Sequence, residues 1–146
     1  MTFNSNFMYK KKIFLPVAAV IVLAVVLAGY SLFPSAPKVS VSPPEINFGE
    51  IDPNGGVKEA EFTVSNVGGG ELEIFVVSTS CGCTTASVDK KLLKKNEQAK
   101  LSVKFDPSMH IGDAAGELYH VVYIKTNDPK LEEAEVEIHA YINSQS

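Results

Sequence analysis

The chain has no arginine and no tryptophan, and only two cysteines and three histidines among its 146 residues. Each scarcity excludes something. Nucleic-acid backbones select for basic patches, and here the residues after position 33 carry ten lysines against 17 acids, a net charge of −7. Nucleic acid is therefore not expected as a partner. No nucleophile elbow, His-Glu-x-x-His pair or phosphate-binding loop occurs, so no common catalytic constellation is present. "GGG" at 68–70 lacks the later Gly and Lys of a phosphate loop and reads as a hairpin turn. "DPNGG" lacks the later acids of a calcium loop. The run Glu132, Glu133, Glu135 and Glu137 reads as a solvated face. Lys90, Lys91, Lys94 and Lys95 read as a solvated connector. The chain is not expected to be an enzyme.

One long hydrophobic run is present. Residues 13–33 contain no charge and follow Lys10, Lys11 and Lys12. As a helix, that run reaches about 31 Å, close to the hydrocarbon thickness of a bilayer. Pro16 falls in the first turn, where a missing N–H costs little. The three lysines place residues 1–12 in the cytoplasm and the acidic body outside. The rival reading is a cleaved signal peptide, and Tyr30 in "LAGY" stands where a lipoprotein would need its cysteine. An uncleaved anchor is preferred because the run is long for a signal sequence. Both readings export residues 34–146. The expected lipid contact is the bilayer, through residues 13–33.

From Val39 onward the apolar period becomes two. "VKEAEFTVSN" sets Ala60, Phe62 and Val64 against Glu59, Glu61 and Thr63. "QAKLSVKFD" and "EAEVEIHAYI" alternate in the same way, while "ELEIFVV" is apolar on both sides after Glu73, as for a strand covered on both faces. Turn clusters separate these runs at "DPNGG", "NVGGG", "KKNE", "DPS" and "NDP". Strands are expected over roughly 38–42, 45–51, 57–66, 71–80, 98–106, 116–126 and 131–142, with a short eighth through 83–88. This pattern is all-β: an immunoglobulin-like antiparallel β-sandwich of about seven strands over 39–143. Residues 34–38 form a stiff spacer, and 144–146 a tail.

The two cysteines lie in "TSCGCTT", residues 79–85. If the strand stays extended, Cys81 and Cys83 share a face with Cα atoms about 6.6 Å apart. That is the far edge of the disulfide range, so a bond between them needs a bend, which Gly82 permits. So short a loop would constrain the unfolded chain little, and such a bond suits a redox role better than a staple. Two thiolates on one face can instead hold copper or zinc, with Met109 and His110 in the loop after "FDP" as further ligands and His120 and His139 as less favoured ones. His139 lies on the acidic face of its strand and reads as solvated; His120 is treated in the same way. The third reading makes both thiols small, partly buried apolar groups.

Five features occur together in order: "INFGEI", "FTVSNVGGGELEI", "TSCGCTT", "VKFDPS" and "IKTNDP". In this the sequence resembles a bacterial domain-of-unknown-function family marked by a Cys-Gly-Cys-Thr motif. That family is related to the immunoglobulin-like domains of abnormal-spindle and hydin type and to major sperm protein. The resemblance covers about residues 40–143. It implies a β-sandwich in an envelope or secreted bacterial protein, with no established activity. It carries over only Cys81, Gly82, Cys83 and Thr84, without a role. The family often has Pro-Gly-Glu before the "VKF" strand; Asn96 stands where its Gly is usual, and Asn tolerates the left-handed conformation. The combined expectation is a membrane-anchored extracytoplasmic domain that binds an envelope protein without a cofactor. The alternative is soft-metal or thiol-redox handling through Cys81 and Cys83.

Overall fold

The computed structural model describes residues 19–26, 35–109 and 116–143. Residues 19–26 are helical and expose Val20, Ile21, Val22 and Leu23. Among the described residues no helix is long and apolar enough to cross a membrane. Most of the 13–33 run lies outside them, as do residues 1–12 and the tail 144–146.

The body, Ser35 onward, forms its own compact unit. Its strands are β1 (Val39–Ser42), β2 (Glu45–Ile51), β3 (Lys58–Asn66), β4 (Leu72–Thr79), β5 (Thr84–Val88), β6 (Leu92–Leu93), β7 (Gln98–Phe105), β8 (Gly116–Thr126) and β9 (Glu133–Ile142). They make a sandwich of two sheets, ordered β1-β3-β7-β5 and β2-β9-β8-β4-β6. The seven principal strands fall where alternation puts them. Among the described residues the strands number nine: β5 is the short eighth expected through 83–88, and β6 is an addition. β6 lies in the lysine-rich connector: Leu93 is fully buried between Lys91 and Lys94. The pairing is not wholly antiparallel, since β2 runs parallel to β9. A bulge between Asn47 and Glu50 breaks that pair, with Gly49 at φ 67° and its N–H donated to the Asn47 side chain at 2.7 Å.

The main core lies between the sheets and includes Phe62, Leu72, Leu101, Val122, Ile124 and Val136. All are inward members of the period-two patterns, and burying each such side chain stabilises the fold by roughly 1.5–3 kcal/mol. β4 departs from the expected burial on both faces. A bulge between Ile74 and Val76 leaves Phe75 and Val76 each 49% exposed.

"GGG" does not close a hairpin, because β3 and β4 belong to different sheets. The glycines instead let the incoming chain pass close by. A Cβ on Gly68 would stand 2.4 Å from the Lys38 nitrogen and 2.5 Å from the Ala36 carbonyl oxygen. Asn66, fully buried beside them, donates to the carbonyls of Gly70 (2.7 Å) and Leu93 (2.9 Å) and accepts from the Gly68 N–H (3.0 Å). Asp128 of "TNDP" is also buried and accepts from the backbone of Val39 and Lys130 at 2.9 and 2.8 Å. Desolvation alone would raise its carboxyl pKa. The Lys130, Val39 and Leu131 N–H groups and the Lys38 charge outweigh that and hold it below its ordinary value. Asn96 adopts φ 63°, the left-handed turn expected where Gly is usual.

Candidate functional site

The Cys-Gly-Cys segment joins the two sheets at one end of the sandwich, between β4 and β5. The strand does not stay extended through it. The chain turns, Cys81 and Cys83 are disulfide-bonded, and their Cα atoms stand 5.2 Å apart. Gly82 does not supply left-handed backbone, and a Cβ there would meet nothing within 4 Å. The bend thus does not depend on glycine's conformational freedom. Hydrogen bonds hold the turn: Thr84 N–H to the Cys81 carbonyl at 3.2 Å, and Asp106 N–H to the Cys83 carbonyl at 2.9 Å. The Thr79 hydroxyl lies 3.0 and 2.9 Å from the carbonyls of Cys81 and Thr84. Ser80 is stitched to Val121 of β8 through its N–H and its hydroxyl.

The disulfide belongs to a second, smaller apolar cluster with Ile51, Phe105, Ala140 and Ile142. Cys83 is buried and Cys81 half-buried. Thr84 is buried beside them, its hydroxyl oxygen 3.8 Å from the Cys83 sulfur.

His120, expected to be solvated, is instead 8% exposed, and its Nε2 lies 3.6 Å from the Cys83 sulfur. Its ring rests 5.2 Å from that of Phe105. Donor atoms of Cys81, Cys83 and His120 all fall within 4.8 Å of one another. The physical reason is parity. His120 shares an inward face with Val122 and Ile124, and a strand sends every second side chain to the same side. Met109 sits on a short 3-10 turn, Pro107–Met109, and is 56% exposed. His110 lies outside the described residues.

The outward faces of the two sheets differ. That of the four-stranded sheet is laced with ion pairs, Lys100–Glu61 and Lys104–Glu59, each at 2.7 Å. That of the five-stranded sheet carries Tyr119, Val121 and Tyr123 in a line along β8, with Tyr141 on β9 and Val76 on β4 beside it. Tyr119 is 54% exposed and Tyr141 43%. Carboxylates border this stripe. Glu137 and Glu135 stand directly opposite Val121 and Tyr123. His139 lies on this face, as its alternation requires, with Glu137 at 3.2 Å and Tyr119 edge-on at 4.8 Å. The Tyr119 hydroxyl donates to Glu137. That bond, with help from His139, pulls the Glu137 carboxyl below its ordinary value, and it pushes the Tyr119 phenol up.

No characterised protein matches this chain in sequence. Solved structures do match its fold. It is similar to a protein of unknown function from Porphyromonas gingivalis W83, at 21% identity and a TM-score of 0.65 over 74% of this chain and 48% of that one. It therefore spans about half the length of that protein. It is similar to PapD-like domain 7 of human CEP192, an ASH domain, at 15% identity and a TM-score of 0.57 over 78% of this chain and 90% of the domain. It is also similar to the YadV chaperone, at 12% identity and a TM-score of 0.50 over 74% and 52% of the two chains. At such identities the likeness is one of fold: a PapD-like, immunoglobulin-like sandwich. Residues 39–142, nearly all of the sandwich and including the Cys-Gly-Cys-Thr turn, match the DUF1573 family of proteins of unknown function, and the chain belongs to that family.

Proposed function

We propose that this chain is a membrane-anchored, extracytoplasmic, non-enzymatic module that binds an envelope protein through the outward face of its five-stranded sheet. The observation that carries this reading is the tyrosine stripe on β8 and β9. Ion pairs make the four-stranded sheet's outer face a solvated one, whereas the stripe leaves aromatic surface open. Tyrosine is enriched at protein interfaces, where its ring supplies contact area and its hydroxyl a hydrogen bond. The bordering Glu117 and Glu135 suit a partner with a basic rim, whereas Glu133 is paired with Lys125 and Glu137 with Tyr119 and His139. The fold gives support by analogy, since a similarly folded protein is described as a chaperone. The uncharged run 13–33 behind three lysines, helical and apolar over 19–26, supports the anchor.

Photo-crosslinking in intact cells tests the reading. A photoreactive amino acid at position 119, 123 or 141 is expected to give a discrete adduct, and at 61 or 104 on the opposite sheet none. Equal background from both sets of positions would overturn it. Intact mass of the membrane fraction tests the anchor: a chain retaining residues 1–33 is expected, and loss of about the first thirty would replace the anchor with a signal peptide.

A further inference from the structure

The thiol turn and His120 play no part in that docking face, since they lie inside the sandwich end. We propose that they form a reductively gated site for one copper(I) ion, with Cys81 Sγ, Cys83 Sγ and His120 Nε2 as ligands. Three observations converge. The donors lie within 4.8 Å of one another. His120 aims Nε2 at the Cys83 sulfur at 3.6 Å, its ring backed by Phe105. Apolar Ile51, Ala140 and Ile142 pack around the same end.

The chemistry selects the ion. Thiolates favour soft cations, chiefly Cu(I) and Zn(II). A structural zinc site takes four protein ligands in a tetrahedron, and among the described residues this cluster holds three donors. Copper(I) is satisfied by two or three. An apolar surround suits it further, because two thiolates and one Cu(I) leave a single negative charge, whereas the empty dithiolate would carry two.

In the oxidised form both sulfurs are engaged with each other and the site is closed. An external dithiol opens it. A donor thiolate attacks Cys81, the more accessible sulfur, and the electron pair of the broken S–S bond goes to Cys83 as thiolate, beside His120. The donor's second thiolate then attacks the mixed disulfide and releases Cys81. The donor leaves as a disulfide, oxidised by two electrons, and this chain gains two electrons and two protons. Copper(I) binding then displaces both thiol protons to solvent, and neutral His120 contributes the Nε2 lone pair with its ring proton on Nδ1.

The test uses the full chain in detergent, reduced anaerobically with a phosphine, desalted, and titrated with Cu(I) against a chromogenic Cu(I) chelator. One Cu(I) per reduced chain is expected, and none for the disulfide form. Cys81→Ser and Cys83→Ser should abolish binding. His120→Ala should weaken it by about 10- to 100-fold or more, at least the loss seen when an outer-shell partner of a metal ligand is removed. His139→Ala should leave it unchanged. Copper-edge X-ray absorption of the wild type should show two sulfur neighbours and one nitrogen, a readout that survives any misfolding of the variants. A reduced chain that takes up no more Cu(I) than the oxidised one would overturn the site. So would His120→Ala binding as tightly as wild type, or a copper shell without nitrogen.

Discussion

Asn66 and Asp128 sit in two of the motif segments the sequence makes conspicuous, "SNVGGG" and "TNDP", and both act on backbone rather than on ligand. Asn66 spends its amide on Gly70 and Leu93 and its carbonyl oxygen on Gly68, so Asn66→Ala would leave several buried polar groups unpaired. A loss of roughly 2–4 kcal/mol is expected, read as a lowered midpoint in chemical denaturation. Asp128 yields a pH dependence whose sign follows from its depressed pKa. Its contribution is present above its ordinary value of 3.8 and is lost as pH falls through the lower value it has in the fold. The stability gap between wild type and Asp128→Asn should therefore be constant above about pH 5 and shrink below pH 4. A gap that did not change with pH would remove Asp128 as the cause. Such roles were hidden in the sequence because "NVGGG" and "NDP" read equally well as plain turns. Only the packing of Ser35–Lys38 against the three glycines shows what they accommodate. His120 is a different case. Its position two residues before Val122 on the same strand carried the signal, which strand parity alone would have revealed.

Among the elements, alternation, with the turn clusters, located β1 to β5 and β7 to β9 to within one or two residues, since most of them bury one face in the interior of the sandwich. It failed where that condition lapses. β6 is two residues long, too short for a period, and is held by pairing with Leu72 and Glu73 of β4. β4 looked apolar on both sides because its bulge shifts phase between Ile74 and Val76, so Phe75 and Val76 emerge on the outside. The parallel pairing of β2 with β9 is not encoded locally at all, as it depends on which strands meet at an edge. The Cys-Gly-Cys turn combines both limits. Its composition is legible, but its bend comes from crossing between sheets and from the Thr79 hydroxyl, and not from any left-handed backbone at Gly82.

Over the whole molecule, the faces of the sandwich differ in chemistry. The four-stranded sheet meets solvent through ion pairs, the interior end holds two sulfurs and an imidazole, and the five-stranded sheet presents tyrosines bordered by carboxylates. A charge placed in that stripe should disrupt docking without disturbing the core. Val121 is the choice, being half-buried on the outer face between Tyr119 and Tyr123. The most direct measurement is the yield of the in-cell crosslink from a photoreactive group at position 141, with and without Val121→Lys. The adduct is expected to vanish in the variant while its unfolding free energy stays within about 1 kcal/mol of wild type. An undiminished adduct in a folded Val121→Lys chain would contradict the assignment of this face.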